Sequence, residues 1–131
     1  AQLISDKIKP ERIIEDPLIH EISLVNSYNC MENWQTNFCS DNKTKYSTYW
    51  YKEGTSESYA DTYQRARIFI QDLKLNRYDF KNGDNVFVVS HGIFLLMIIA
   101  VLNKLTVNQV LKERWLDNCE YFTNTLKVIE Y

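Results

Sequence analysis

The sequence predicts an α/β layered domain, because strand-like and helix-like segments alternate along the chain. The clearest strand signal is the apolar, β-branched run at residues 85–90, which is typical of a strand buried on both faces. Residues 93–102 follow almost at once and are apolar on every side, which indicates a helix inside a core. A third signal is a capped amphipathic helix that begins after Ser58.

The first half of the chain carries weaker signals. Residues 1–9 are predicted to form a short helix that Pro10 closes, since the residue before a proline avoids the α region. Residues 12–16 have the pattern of a short strand. Residues 26–52 are polar with interleaved aromatic side chains, which suits either an excursion that covers a ligand site or an irregular surface segment.

The helix after Ser58 is the best supported element. Ser58 and Asp61 form a helix-start pattern, and apolar residues then recur at helical spacing to about Lys74. Asp61 and Arg65 lie four positions apart, where opposite charges share one helix face.

The last part of the chain completes the alternation. Asn82-Gly83-Asp84 predicts a turn before the strand at 85–90. Thr106 is positioned to cap a helix over residues 107–114, and the segments 119–122 and 126–131 have β-like composition.

The composition narrows the class of protein. The 131 residues suffice for one domain with a real core, and 15 Lys+Arg against 17 Asp+Glu give a net charge of −2. A mildly acidic chain without a basic run argues against nucleic-acid binding and against attachment to an anionic membrane. The apolar run 93–102 is too short to cross a bilayer, which needs about 20 residues.

The cysteines favour a cytoplasmic location. Cys30, Cys39 and Cys119 are an odd number without the spacing of a disulfide framework or a zinc site, as expected in a reducing compartment. Residues 1–7 lack the basic start and apolar block of a signal peptide.

His91 is the strongest candidate for chemistry. It follows the predicted strand directly, and Gly92 then allows a tight turn into the next helix. In open α/β sheets ligands bind beyond the carboxyl ends of strands, and a helix N-terminus attracts anions. A protonated His91 could donate to phosphoryl oxygens there, although a structural histidine capping the helix explains the pattern equally well.

Glu21 is the second candidate. It follows the predicted strand 12–16 and Pro17, and a carboxylic acid near a phosphate could protonate a leaving alkoxide. Taken alone, a glutamate in a polar loop is more often solvated. The neighbouring His20 is better explained by surface exposure or packing.

Several blocks in order resemble the histidine phosphatase superfamily, which includes the cofactor-dependent phosphoglycerate mutases. In YWYKEGTSESYADTYQRARIFIQDL, residues 49–73, Ser56-Glu57-Ser58 precedes an Asp-x-x-x-Arg spacing, similar to the family's Gly-Glu-Ser at the start of a long helix. VFVVSHG, residues 86–92, resembles the strand that ends in the family's second catalytic histidine. DPLIHE, residues 16–21, resembles the segment that ends in its acidic residue, and Asn118-Cys119-Glu120 resembles the opening of its last strands.

The resemblance implies a fold and a mechanism. The fold would be a three-layer α/β sandwich with a mostly parallel sheet, an antiparallel edge and helices on both faces. Residues 1–131 would form the rear portion of one such domain, with residues 26–52 capping the substrate. His91 would stabilise the transferring phosphoryl group of a small phosphorylated substrate, and Glu21 would protonate the leaving oxygen.

The resemblance also implies how the phosphate is held. The backbone amides of Gly92 and Ile93 and the side chain of Glu57 would contribute to phosphate binding, and Glu57 is the alternative proton donor. No metal and no cofactor are implied, because arginine and histidine side chains supply the positive charge.

One departure bears on activity. The family's nucleophilic histidine lies in an Arg-His-Gly segment at the end of a central strand, and this sequence contains no Arg-His-Gly. Smaller departures are Ser56, Val25 and Leu96, where the family commonly has glycine, glycine and a basic residue. The 131 residues alone are therefore expected to be inactive.

Two explanations of the departure are open: a front segment outside these residues, or a chain that has lost catalysis. The first is favoured, because removing a central strand leaves buried backbone groups unpaired. The intact protein is then expected to hydrolyse phosphomonoesters through a phosphohistidine. A catalytically inactive interaction protein of the same fold and a phosphoglycerate mutase-type phosphotransferase are the alternatives.

Overall fold

A computed structural model describes residues 6–23, 49, 57–81, 83–113, 116–117, 120–127 and 129. Its elements are a 3-10 helix at Pro17–Ile19 and three α-helices, which are α1 at Tyr59–Lys74, α2 at Gly92–Asn103 and α3 at Val107–Val110. Residues 6–8 are also helical, within the short helix predicted at residues 1–9.

Helix α1 begins where the sequence predicts, because Ser58 and Asp61 form a capping box. The Ser58 hydroxyl accepts the Asp61 amide at 3.1 Å, and the Asp61 carboxylate accepts the Ser58 amide at 3.0 Å. These bonds satisfy amides that have no acceptor inside the helix. After α1, the Asn76 side chain bonds both the amide and the carbonyl of Phe80 and so shapes the loop between them.

Helix α2 is apolar all round, as the sequence predicts, and most of its side chains are buried. It ends at Lys104, whose backbone adopts the left-handed conformation (φ 54°). The Leu105 amide then bonds the Ala100 carbonyl at 2.9 Å, which satisfies one carbonyl of the last turn.

Helices α1 and α2 pack against each other and form the core. At their contact the rings of Phe69 and Phe94 meet edge to face, with centroids 6.2 Å apart. Thr62 is fully buried there, and its hydroxyl donates to the Ser58 carbonyl at 3.0 Å. The fully buried apolar side chains of this core include Ala66, Ile93, Phe94, Leu96, Met97, Ala100 and Val110.

Helix α3 is shorter than predicted. Thr106 caps it through a second capping box with Gln109, but the helix ends at Val110 instead of continuing to Arg114. Val110 is buried, whereas Lys112 and Glu113, which follow the helix, are exposed.

The predicted three-layer α/β sandwich with a mostly parallel sheet is wrong for the part of the chain that the structure describes. None of the described residues forms a strand, including those of the predicted strands at 12–16, 85–90, 119–122 and 126–131. Val86, Phe87 and Val89, expected on buried faces, are 47%, 61% and 39% exposed. A strand requires a hydrogen-bonded neighbour, and an apolar run alone does not supply one.

Some predictions fall outside the described residues. Of the predicted cap at residues 26–52, only Tyr49 is described; it is buried, and burial raises the pKa of its hydroxyl. Cys30, Cys39 and Cys119 also lie outside.

The cap of α1 has a measurable effect on stability. Replacing Ser58 with alanine removes the acceptor for the Asp61 amide and is expected to lower the free energy of unfolding by about 1 kcal/mol. Urea denaturation of the variant measures this value. Thr123→Ala, which removes an exposed hydroxyl outside the helices, is the control, and equal effects of the two changes would contradict the assigned cap.

Candidate active site

Glu21 lies in a segment, Asp16 to Ser23, that we call the Glu21 segment. At its start, the Asp16 carboxylate accepts the Leu18 amide at 2.7 Å and so caps the 3-10 helix, in which Pro17 occupies the first position. The other Asp16 oxygen accepts the Tyr78 hydroxyl. Burial and this hydrogen bond raise the pKa of Tyr78, so the phenol remains a donor over the physiological pH range.

Arg65, on α1, binds the middle of the Glu21 segment through its backbone carbonyls. Its Nη1 donates to the carbonyls of Leu18 at 2.6 Å and His20 at 2.8 Å, and its Nη2 reaches the carbonyl of Glu21 at 3.4 Å. The same guanidinium pairs with the Glu57 carboxylate, with Nε–Oε1 at 2.9 Å and Nη2–Oε2 at 2.7 Å. We call this ion pair, which contains two hydrogen bonds, the Arg65–Glu57 bridge.

Glu57 continues the bridge to the end of the Glu21 segment. Its backbone amide donates to the Ser23 carbonyl at 2.7 Å, and its Oε2 accepts the Ser23 amide at 2.9 Å. The bridge therefore fixes both the middle and the end of the segment that carries Glu21.

The Glu57 carboxyl is held in its ionised form. Burial by itself raises the pKa of Glu57, but the hydrogen bonds from Arg65 and Ser23 and the positive charges of Arg65 and His20 together lower it below the ordinary value. A carboxylate in this state is a poor proton donor, which disfavours the alternative role predicted for Glu57.

The Glu21 carboxyl has a different environment. It is half-buried, and its Oε1 accepts the amide of Ile22 at 2.8 Å. Its second oxygen, Oε2, has no hydrogen-bond partner among the described residues. His20 beside it is exposed, as expected, and its ring nitrogen Nδ1 contacts the Glu21 carbonyl.

His91 is the N-cap residue of α2, and its side chain is exposed. The imidazole makes no capping hydrogen bond, which counts against the purely structural explanation of this histidine. The preceding residue, Ser90, donates its hydroxyl to the Ile19 carbonyl at 2.5 Å. One hydrogen bond therefore joins the residue before His91 to a residue two positions before Glu21.

The first amides of α2 have no acceptor inside the helix, since the first intrahelical bond runs from the Leu95 amide to the His91 carbonyl. Gly92 is half-buried, so its amide lies near the surface beside His91. Ile93 is fully buried, so its predicted phosphate contact would require the packing around it to open.

Arg65 also contacts α2. Its Cζ lies 4.9 Å from the centroid of the Phe94 ring, which is the geometry of a cation–π contact. Because Phe94 belongs to the first turn of α2, Arg65 touches both the Glu21 segment and the helix that begins after His91.

The family model of the histidine phosphatase superfamily (branch 1) matches residues 1–127. The chain belongs to the histidine phosphatase superfamily. Membership supports phosphatase or phosphotransferase chemistry in the broad sense, on small phosphorylated substrates. No curated protein and no solved structure is significantly similar to the chain.

Two further findings concern ions and membranes. Among the described residues, no three His, Cys, Asp or Glu side chains are grouped so that they could hold a metal ion. No helix in that part of the chain is both long and apolar enough to span a membrane.

The contacts of Arg65 and Ser90 with the Glu21 segment were not predicted from the sequence. Helical spacing pairs Arg65 with Asp61, and the structure gives Arg65 a salt bridge with Glu57, eight residues earlier. The usable signal was the Ser-Glu-Ser block before the Asp-x-x-x-Arg spacing, which placed Glu57 and Arg65 in one pattern.

The Arg65–Glu57 bridge predicts a defined acid sensitivity. Because folding lowers the pKa of Glu57, the stabilisation is complete above the ordinary value near 4.5 and is lost as the pH falls through the lower, folded-state pKa. Glu57→Gln is expected to destabilise the protein by about 2 kcal/mol at pH 7, since a hydrogen-bonded charge is removed. The difference from the unmutated protein should shrink below pH 4.5.

Urea denaturation at a series of pH values measures this difference. Asp72→Asn is the matched control, because it removes the Asp72–Arg77 pair, whose arginine is 64% exposed, and exposed pairs contribute about 0–1 kcal/mol. A Glu57→Gln effect that is the same at pH 7 and pH 3 would show that the charge of Glu57 does not stabilise the fold.

Proposed function

We propose that the protein containing this sequence hydrolyses small phosphomonoesters through a phosphohistidine intermediate. The observation that supports the proposal is the Ser90–Ile19 hydrogen bond, which draws together the two segments that carry His91 and Glu21. By sequence resemblance, His91 takes the place of the family's second catalytic histidine and Glu21 that of its acidic residue. The family model matches residues 1–127.

In the first step, a histidine nitrogen attacks phosphorus, a nitrogen–phosphorus bond forms, and the bond from phosphorus to the ester oxygen breaks. Glu21 donates a carboxyl proton to the departing alkoxide, which leaves as an alcohol. His91 donates a hydrogen bond to the equatorial oxygens, where negative charge accumulates, and the amide of Gly92 adds a second donor.

In the second step, water attacks the phosphohistidine and Glu21, now a carboxylate, accepts a proton from that water. The nitrogen–phosphorus bond breaks, inorganic phosphate leaves, and the histidine is free again. Neither step consumes an oxidant or a metal ion. The proposal places residues 26–52 over the substrate as a cap on this one domain.

In the family the nucleophilic histidine lies in an Arg-His-Gly segment, and the 131 residues contain no such segment. The proposal therefore requires an Arg-His-Gly segment supplied from outside these residues, and the 131-residue chain assayed alone is the negative control for every activity measurement. An intact protein without such a segment, and without turnover, would be an inactive interaction protein of the family.

His91→Ala in the intact protein is expected to lower kcat by about 100- to 1,000-fold, the usual effect of removing one donor to a developing charge. Release of inorganic phosphate from a generic phosphomonoester measures it, with circular dichroism to verify the fold. Transfer to an added acceptor instead of release would indicate a mutase-type phosphotransferase.

The matched control for His91 is His20→Ala, which removes the only other histidine of the sequence. We expect a small effect, because His20 is exposed and Arg65 binds its carbonyl, not its ring. Loss of turnover in His20→Ala with normal turnover in His91→Ala would reverse the assignment.

Glu21→Gln is expected to separate two classes of substrate. Alkyl phosphates need a proton on the leaving oxygen and should slow by about 100-fold or more, whereas aryl phosphates with acidic leaving groups should slow little. The measurement is the ratio of kcat for an alkyl and an aryl phosphate in each protein, with the exposed Glu113→Gln as control. Equal slowing of both substrates would exclude Glu21 as the proton donor.

A further inference from the structure

We propose that Arg65 is a positioning residue, which sets the place of the Glu21 carboxyl relative to His91 through the backbone of the Glu21 segment. The inference rests on the proposed function, because it concerns the proton donor of that reaction. Among the described residues, the contact of Arg65 with Glu21 is made at the backbone carbonyl.

The first argument is the set of acceptors that Arg65 binds. The ion pair with Glu57 uses the Nε hydrogen and one Nη2 hydrogen of Arg65. Arg65 therefore still has N–H donors on both terminal nitrogens, Nη1 and Nη2. Nη1 donates to the carbonyls of Leu18 and His20, and Nη2 also reaches the carbonyl of Glu21. The guanidinium therefore contacts the backbone immediately before and at Glu21.

The second argument is the burial and rigidity of this guanidinium. The Arg65 side chain is 10% exposed and that of Glu57 is 21% exposed, so the pair is largely removed from solvent. A planar guanidinium with two parallel bonds to a carboxylate has a fixed orientation, which lysine cannot reproduce. The other N–H donors of Arg65 therefore have fixed directions, toward the backbone carbonyls of the Glu21 segment.

The third argument is the contact of Arg65 with the His91 side of the site. The guanidinium lies over Phe94, in the first turn of α2, and Ser90 bonds Ile19 between the Arg65 acceptors Leu18 and His20. Arg65 thus contacts both the Glu21 segment and α2. In the proposed reaction, the distance between these two parts must fit one phosphoryl group. A displacement of about 1 Å in such an arrangement can cost about 100-fold in rate.

The test compares Arg65→Lys and Arg65→Gln with Arg67→Gln in the intact protein. Arg67 lies on the same helix, is exposed, and bonds the Gln64 side chain at 3.1 Å, so it is the matched control. The readout is again the ratio of kcat for an alkyl and an aryl phosphate, which a loss of folded protein does not change.

Both Arg65 variants are expected to slow the alkyl phosphate by about 100-fold and the aryl phosphate far less, because only the alkyl leaving group needs the positioned proton. Arg67→Gln should leave both rates unchanged. Combining Arg65→Lys with Glu21→Gln should slow the alkyl phosphate no more than Glu21→Gln alone, since both changes remove one function.

Three results would overturn the inference: equal slowing of both substrates, full rescue of the ratio by lysine, or additive losses in the double variant. Arg65→Lys keeps the charge, so the test remains decisive even where Arg65→Gln does not fold. A wild-type protein that turns over neither substrate would instead refute the proposed function.

A second measurement tests the positioning without activity. Hydrogen exchange of the peptide covering residues 16–23, followed by mass spectrometry, is expected to accelerate at least tenfold in Arg65→Lys, while exchange in α2 stays unchanged. Unchanged exchange at residues 16–23 would refute the role of Arg65 even in a protein with normal phosphatase activity.

Discussion

The described structure depends on the ion pair and the hydrogen bonds of one largely buried guanidinium, that of Arg65. A charge removed from water requires an opposite charge and hydrogen-bond acceptors for its remaining donors. For Arg65, Glu57 supplies the charge, and the Glu21 segment supplies three carbonyls. Two of these carbonyls, those of His20 and Glu21, lie in the open chain that follows the 3-10 helix at Pro17–Ile19. The third is that of Leu18, within the 3-10 helix.

The helices could be predicted from the sequence because their determinants are local. Ser58 and Asp61 are three residues apart and cap α1 by themselves, and the apolar run of α2 needs only to be covered. Strands are different, since residues 85–90 reveal only a preference for extended backbone. An extended segment becomes a strand only when a second segment pairs with it by hydrogen bonds, and that second segment can lie at any distance in the sequence. Within this run the Phe87 side chain is 61% exposed, whereas Val88 is partly buried against the core.

Candidate site residues could be chosen from the sequence where their signals are local. His91 and Glu21 were chosen because each follows a strand-like run and ends a block that resembles the family pattern, and their catalytic roles stay predictions. The contacts of Arg65 with the Glu21 segment were not predicted, because Asp61, four positions earlier, already accounted for Arg65 as a member of a charge pair on the helix surface. Its bonds to Glu57 and to the Glu21 segment cross the cap of α1 and span up to 47 residues of sequence. Spacing within one helix carries no information about such contacts.

The carboxyl groups of Glu57 and Glu21 differ in the hydrogen bonds that they receive. The Glu57 carboxylate receives two guanidinium bonds and a backbone amide, which favour the ionised form. The Glu21 carboxyl receives only the amide of Ile22 among the described residues, and the same guanidinium binds the Glu21 backbone instead of its side chain. The carboxylate that neutralises the Arg65 guanidinium is therefore that of Glu57, whereas Arg65 contacts Glu21 at its backbone carbonyl.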